Sequence, residues 1–341
     1  MKIFFTDTHR QHDPPFEMYE GGLRMPYLES PERMERILSV LKQQDWADII
    51  PPEDFGLDPI LAVHDWNYVD FLRTAYQEWT QEKTDYEKTA LLPATFPPRG
   101  CLHRPKSILG RAGFYAFDLS APIMEGTYQA AISSANCALS GAKAIAAEGE
   151  RTVFALCRPP GHHAGKSYCG GYCYLNNAAI AANWLSEIGK VAILDIDYHA
   201  GNGTQDIFYE RSDVLTISIH ADPDFAYPAF CGYADETGAG PGSGWHRNFP
   251  LPAGTDDSGY LSTLDEALAL IKSFTPTFLV VSAGMDLYSN DPIGSFNVTR
   301  VGIEQIGMRI ASLNLPTLIV MEGGYEHRTL GENIAVLIEK L

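Results

Sequence analysis

The residues with the most to offer chemically lie in Val191-Ala-Ile-Leu-Asp195-Ile-Asp197-Tyr-His199-Ala-Gly-Asn202-Gly. A continuous apolar run that leads into two carboxylates and an imidazole reads as a strand buried on both faces. In open α/β sheets, ligands bind beyond the carboxyl ends of the strands, so these groups emerge where chemistry is placed. If the extended conformation persists, Asp197 and His199, two residues apart, leave on one side, and Asp195 shares that side one step deeper. An Asp and a His so spaced can grip one divalent cation, with Asp195 left to support them. The competing reading is a strand-to-helix turn capped by an Asp.

Three further apolar runs end in polar turns. Val153–Cys157 leads through Arg158-Pro-Pro-Gly to His162 and His163, Thr277–Ser282 leads to Asp286, and Thr317–Met321 leads through Glu322-Gly-Gly to Tyr325. A hydrolytic metal centre needs three protein ligands and one open position. Asp197, His199 and Asp286 supply two carboxylates and an imidazole, a set that suits zinc, ferrous iron or cobalt. Two carboxylates neutralise a divalent charge and leave a bound water less acidic, so a general base is needed nearby. The paired histidines meet that need, with Asp195 and Asn202 available to orient them. The imidazole beside Asp195 is expected to stay cationic and the one beside the amide to stay nearer neutral, one stabilising an oxyanion and the other taking a proton. Taken alone, a His-His pair is a structural turn. Tyr325 can donate to a polarised carbonyl, the glycines before it allowing the approach.

These groups require strands alternating with helices. Beside the strands above, Met1–Asp7 reads as a first strand and Asp213–His220 as another. Helices are expected from Pro31, over Leu61–Leu72, Gly126–Ala147, Ala178–Ile188 and Gly259–Phe274, and at the C-terminal end. Arg10–Pro26 and Ala221–Thr255 read as loops, and Tyr76–Arg111 as a long irregular insertion of the kind that is functional or forms an interface. His64, within an apolar helical pattern, reads as structural. The pattern indicates one α/β domain over 1–341 with a parallel sheet.

With 43 acidic against 25 basic residues the net charge is −18, which argues against a nucleic-acid surface and suits a cationic substrate. No apolar run approaches a membrane span. The six cysteines are scattered, several in apolar runs, and form no secreted disulfide framework, so buried free thiols and a cytoplasmic protein are expected.

Arg158-Pro-Pro-Gly-His-His, Gly170-Gly-Tyr-Cys-Tyr-Leu-Asn-Asn, Asp195-x-Asp-x-His-x-Gly-Asn-Gly-Thr and Glu322-Gly-Gly-Tyr match, in order and spacing, motifs of a known group. Together they resemble the arginase–deacetylase superfamily, and within it the zinc-dependent histone deacetylase-like amidohydrolases. The resemblance implies an eight-stranded parallel β-sheet flanked by helices, one Zn2+ on Asp197, His199 and Asp286, His163 as general base and His162 as its electrostatic partner. It makes Tyr325 the carbonyl-polarising donor and the Gly171 carbonyl the acceptor of the substrate amide N–H. It also implies a structural K+ held by Asp195, Ser218 and the carbonyls of Asp197, His199 and Ile219. One departure is Ala200, where the family usually has a second histidine. Asn202, found where much of the family has Asp, leaves the base less polarised.

Within that family the chain looks most like the bacterial acetylpolyamine amidohydrolases, through its length, Glu17-Met-Tyr and the insertion at about 76–111. That likeness implies a homodimer in which the insertion narrows the tunnel, Glu17 meeting a distal ammonium, and Tyr172 and Tyr227 as aromatic walls. Asp118 and Glu125 are further acids without an assigned place. The alternatives are a deacetylase of acetyl-lysine in peptides or proteins, an arginase-like binuclear manganese hydrolase, and a silent polyamine-binding module.

Overall fold

The computed structural model describes residues 1–19, 22–82, 89–101 and 103–341. In chain order the strands are β1 (Lys2–Phe4), β2 (Glu17–Tyr19), β3 (Leu23–Met25), β4 (Asp48–Ile50), β5 (Thr152–Ala155), β6 (Val191–Asp195), β7 (Val214–Ala221), β8 (His246–Leu251), β9 (Phe278–Ala283) and β10 (Thr317–Met321). Eight form a single parallel sheet in the order β4-β1-β5-β10-β9-β6-β7-β8, while β2 and β3 pair as a separate antiparallel hairpin.

The helices are α1 (Glu32–Leu41), α2 (Asp58–Leu61), α3 (Trp66–Gln81), α4 (Ile108–Phe114), α5 (Thr127–Ala147), α6 (Asn177–Ser186), α7 (Asn202–Phe208), α8 (Asp257–Phe274), α9 (Arg300–Ala311) and α10 (Leu330–Glu339). They cover both faces of the sheet, as parallel strands require. Side chains alternate along each strand, so Val153 and Ile193 point into one core with α5 and α6. Phe154 and Leu194 point into the other, with α1, α8, α9 and α10. The alanines of α5 let that helix lie close against the sheet, with most of its residues buried. Helix starts are set by local acceptors: Asn176 Oδ1 takes the Ala179 N–H at 2.9 Å and Asp256 Oδ1 the Gly259 N–H at 3.0 Å. Among the described residues no helix is long and apolar enough to cross a membrane.

Several expectations need correction. The helix expected over Leu61–Leu72 is two, because the chain turns at His64 and restarts at Trp66. It then runs to Gln81, so the expected insertion begins inside a helix, and it closes inside α4; residues 83–88 and 102 of that insertion lie outside the described residues. Strand β8 lies in what reads as loop. Its inward residues are polar, His246 and Asn248, and Pro250 is tolerated because β8 is an edge strand. Strand β4, three residues at the other edge, was likewise not read, and the loop over Arg10–Pro26 contains the β2–β3 hairpin.

Candidate active site

Strands β5, β10, β9 and β6 are consecutive neighbours at the centre of the sheet. All four run parallel, so their carboxyl ends place His162/His163, Tyr325, Asp286 and Asp195/Asp197/His199 at one edge.

The strand conformation ends at Asp195, so the side chains beyond it do not converge by continued extension. Two successive turns do the work instead. Asp195 Oδ1 accepts the Asp197 N–H at 3.0 Å, and Asp197 Oδ1 accepts the His199 N–H at 2.9 Å. Asp286 crosses from β9 and accepts the Tyr198 N–H at 2.9 Å. The ligating atoms of Asp197, His199 and Asp286 consequently lie within 4.8 Å of one another. His199 Nδ1 is 3.3 Å from Asp197 and 3.0 Å from Asp286. Both acids are buried. Burial opposes charge on His199, yet bonds to these carboxylates hold its pKa up to about 9, a sign that the pair calls for positive charge. Two buried carboxylates and one imidazole converging in this way fit a divalent cation. The glycines beside them are obligatory: a Cβ at Gly323 would come 2.5 Å from Asp286 Oδ2, and one at Gly284 would collide with Asp197.

The paired histidines are held from below. Glu322 Oε2 accepts the N–H groups of Gly161 and His162 at 2.7 and 3.1 Å, tying the turn after β5 to the turn after β10. Arg158, fully buried, anchors the same turn through Glu29 and the carbonyls of His9 and His12. His162 Nδ1 lies 3.0 Å from Asp195 Oδ2 and His163 Nδ1 lies 2.6 Å from Asn202 Oδ1. Burial disfavours the His162 cation, but Asp197 and Asp195 outweigh it and hold the pKa well above the ordinary value. His163 is pushed well below it by burial and by the cationic His162 and His199. With Nδ1–H given to Asn202, neutral His163 presents a bare Nε2, the form a general base needs.

The site opens into a cavity of about 460 Å³, a size that suits a small ligand. His162, His163, His199, Gly171, Tyr172, Tyr227 and Tyr325 all line it. The Tyr325 ring lies 5.6 Å from that of Tyr172 and over the Arg33 guanidinium at 5.0 Å. Burial raises the Tyr325 pKa well above 10, so the phenol remains a donor. Tyr227 meets His163 edge-on at 5.0 Å.

Two acids stand behind the tyrosine walls. Tyr227 donates to Asp118 Oδ2 at 2.8 Å, and the Gly171 N–H joins the same oxygen at 2.9 Å. Tyr172 donates to Glu17 Oε2 at 2.6 Å, and the Leu28 N–H to Oε1 at 3.0 Å. Glu17 is buried, so an ammonium would have to displace Tyr172 to reach it. Asp118, left without a place by sequence reasoning, lines the cavity, whereas Glu125 does not. No local motif marks Asp118; only the fold brings it to Tyr227. Ile293 lines the cavity too and carried no signal.

Ser218 and Ile219 lie in β7, Ser218 in register with Asp195. His220 Nε2 donates to the Gly232 carbonyl at 2.8 Å, so Nδ1 accepts the hydrogen bond of the Ser218 hydroxyl at 2.6 Å. The Ser218 oxygen is left with lone pairs for a cation. Ala200 is buried against Gly232, and His64 is structural, held between the Gly165 carbonyl at 2.9 Å and the Asn176 N–H at 3.0 Å.

Comparison with known proteins agrees with this geometry. The histone deacetylase domain profile matches residues 27–341. Acetylpolyamine amidohydrolase 1 of Pseudomonas aeruginosa is 46% identical, with 99% of this chain and 98% of the relative covered. Acetylpolyamine amidohydrolase of Mycoplana ramosa is 43% identical, with 99% of each covered. The crystal structure of acetylpolyamine aminohydrolase from Burkholderia pseudomallei superposes with a TM-score of 0.95 at 39% identity, covering 100% of this chain and 98% of the other. The chain therefore belongs to the histone deacetylase family, a family of amide-bond hydrolases, and has its arginase–deacetylase fold.

Proposed function

We propose that this protein hydrolyses N-acetylated polyamines of the acetylputrescine, acetylcadaverine, acetylspermidine and acetylspermine type to free amine and acetate. The observation that carries the reaction class is that His199, whose ligating atom lies within 4.8 Å of those of Asp197 and Asp286, lines one cavity together with His163 and the Tyr325 phenol. The substrate class is supported by near full-length likeness to acetylpolyamine amidohydrolases, and by a cavity whose two wall tyrosines are each bonded to a carboxylate. Such walls favour a slender cationic chain.

Zn2+ is the ion we assign to the cluster, one per chain, held by Asp197, His199 and Asp286, with Fe2+ and Co2+ also suited to the donor set; bound there it would supply Lewis acidity toward the acetyl carbonyl and a water. His163 Nε2 takes a proton from the attacking water. Tyr325 donates to the carbonyl oxygen as it gains negative charge, and the His162 cation stabilises that charge from its bond to Asp195. The Gly171 carbonyl accepts the substrate amide N–H, which orients the scissile bond. A protonated histidine of the pair then gives its proton to the leaving amine. A structural K+ is assigned to Asp195, Ser218 and the carbonyls of Asp197, His199 and Ile219. It would stiffen the turn that carries the ligands.

We further assign a homodimer built on the segment at about 76–111, and a cytoplasmic setting. Buried free thiols at Cys137, Cys157, Cys169 and Cys173 suit a reducing compartment. The test is a turnover comparison across the four acetylpolyamines with an acetyl-lysine peptide as control. Higher kcat/KM for the polyamines supports the proposal. Preference for the peptide overturns the substrate class and leaves a lysine deacetylase.

A further inference from the structure

The turn that carries Tyr325 is built largely from backbone, Glu322-Gly-Gly-Tyr325-Glu326, with Gly324 at φ +118°. Glycines give such a turn many accessible conformations, so its one functional side chain needs an external hold. The carbonyl side is gripped by Arg33, whose Nε donates to Gly324 O at 2.7 Å and Nη2 to Glu322 O at 2.6 Å.

The amide side is gripped by a residue outside all the sequence motifs. Asp291 lies in the loop after β9 and is buried. Its Oδ2 accepts the N–H groups of Tyr325 at 2.6 Å and Glu326 at 3.2 Å. Its Oδ1 accepts the N–H of Ile293 at 3.1 Å, and Ile293 packs against the cluster formed by Tyr27, Tyr172 and Tyr325. One carboxylate thus fixes both the backbone of Tyr325 and a side chain packed beside its ring.

We infer that Asp291 is a positioning residue that sets where the Tyr325 phenol stands in the cavity. The inference rests on the catalytic role proposed above for Tyr325. An Asn at 291 keeps one acceptor oxygen and turns an NH2 group toward backbone donors, so the turn shifts. Displacing a catalytic group by about 1 Å can cost on the order of 100-fold in rate.

The test compares wild type, Asp291→Asn, Tyr325→Phe and the double variant on acetylputrescine, all loaded to equal metal content. Asp291→Asn should lower kcat by about 10-fold to about 100-fold with KM changed by less than about 3-fold. In the Tyr325→Phe background the same change should alter kcat by less than about 3-fold, because the group it positions is gone. Hydrogen exchange at the Tyr325 and Glu326 amides, slow in wild type, should speed up in Asp291→Asn. This readout needs no turnover. If wild type cleaves no acetyl amide, the proposed function falls while the exchange data still decide whether Asp291 holds the turn. Asp291→Ser, which keeps one acceptor, replaces the Asn variant should that fail to fold. A wild-type kcat in Asp291→Asn, or an undiminished further loss in the Tyr325→Phe background, would overturn the inference.

Discussion

His163 gives its Nδ1–H to Oδ1 of Asn202 across 2.6 Å, both residues buried at the foot of the cavity. That bond fixes the tautomer, so Nε2 carries the lone pair. An amide partner adds no negative charge, and His163 stays well below the ordinary histidine pKa through burial and its cationic neighbours. An Asn202→Asp variant puts a carboxylate in that place. A carboxylate favours the imidazolium, so the base remains protonated to higher pH. The acid limb of the kcat/KM profile should therefore move upward by about one pH unit. An unmoved limb would show that His163 is not the titrating base.

His163→Ala and Tyr325→Phe remove different parts of the same step. Loss of the base should cost about 10²–10⁴-fold in kcat. Loss of the phenol should cost about 10²–10³-fold. Neither side chain is in the Asp197–His199–Asp286 cluster, so metal content should stay at the wild-type value. Full turnover by a fully loaded Tyr325→Phe protein contradicts the donor role.

Asp118 holds the opposite wall through Tyr227 and Gly171. Asp118→Asn weakens a charge-assisted bond and reduces the negative charge behind that wall. KM for acetylputrescine should rise by about 10-fold, the scale of one such bond, with kcat less affected. N-butylacetamide, its uncharged counterpart, should respond less. Equal effects on both compounds would show that Asp118 shapes the wall without selecting a cation.

Stability should depend on three buried histidines outside the set that performs the chemistry. Burial pushes His64, His220 and His246 each down to about 4. In the unfolded chain they titrate near 6.5, so between these values the unfolded state binds more protons. Their contribution is whole above about pH 6.5 and is lost as pH falls toward about 4. Urea unfolding across this window should show a steady decline. His64→Gln should remove about one proton from its slope, and a slope unchanged by that variant contradicts the assignment.

Much of the site was legible because its residues follow apolar strands within a few positions. Asp195, Asp197 and His199 announce themselves by spacing, although turns and not extension bring them together. The central strands were legible for the same reason: buried on both faces, they are unbroken apolar runs. The edges were not. In β8 the inward positions are His246 and Asn248, which face Gln205 across 3.0 and 3.1 Å, so the strand carries no apolar alternation. Asp118 was legible only as an acid without a place, and Ile293 and Asp291 not at all, because Tyr227 and Tyr325, which they help to hold, lie far away in sequence. Glu17 was visible as an acid, but its pairing with Tyr172, 155 residues on, was not.

The most direct test measures metal and activity together in one preparation, before and after chelation, and in Asp286→Ala. One divalent transition-metal ion per chain is predicted. Acetylpolyamine turnover should vanish when it is removed and return on adding Zn2+, and Asp286→Ala should lose both metal and turnover. Two such ions per chain, or unchanged turnover in metal-free protein, would contradict the account.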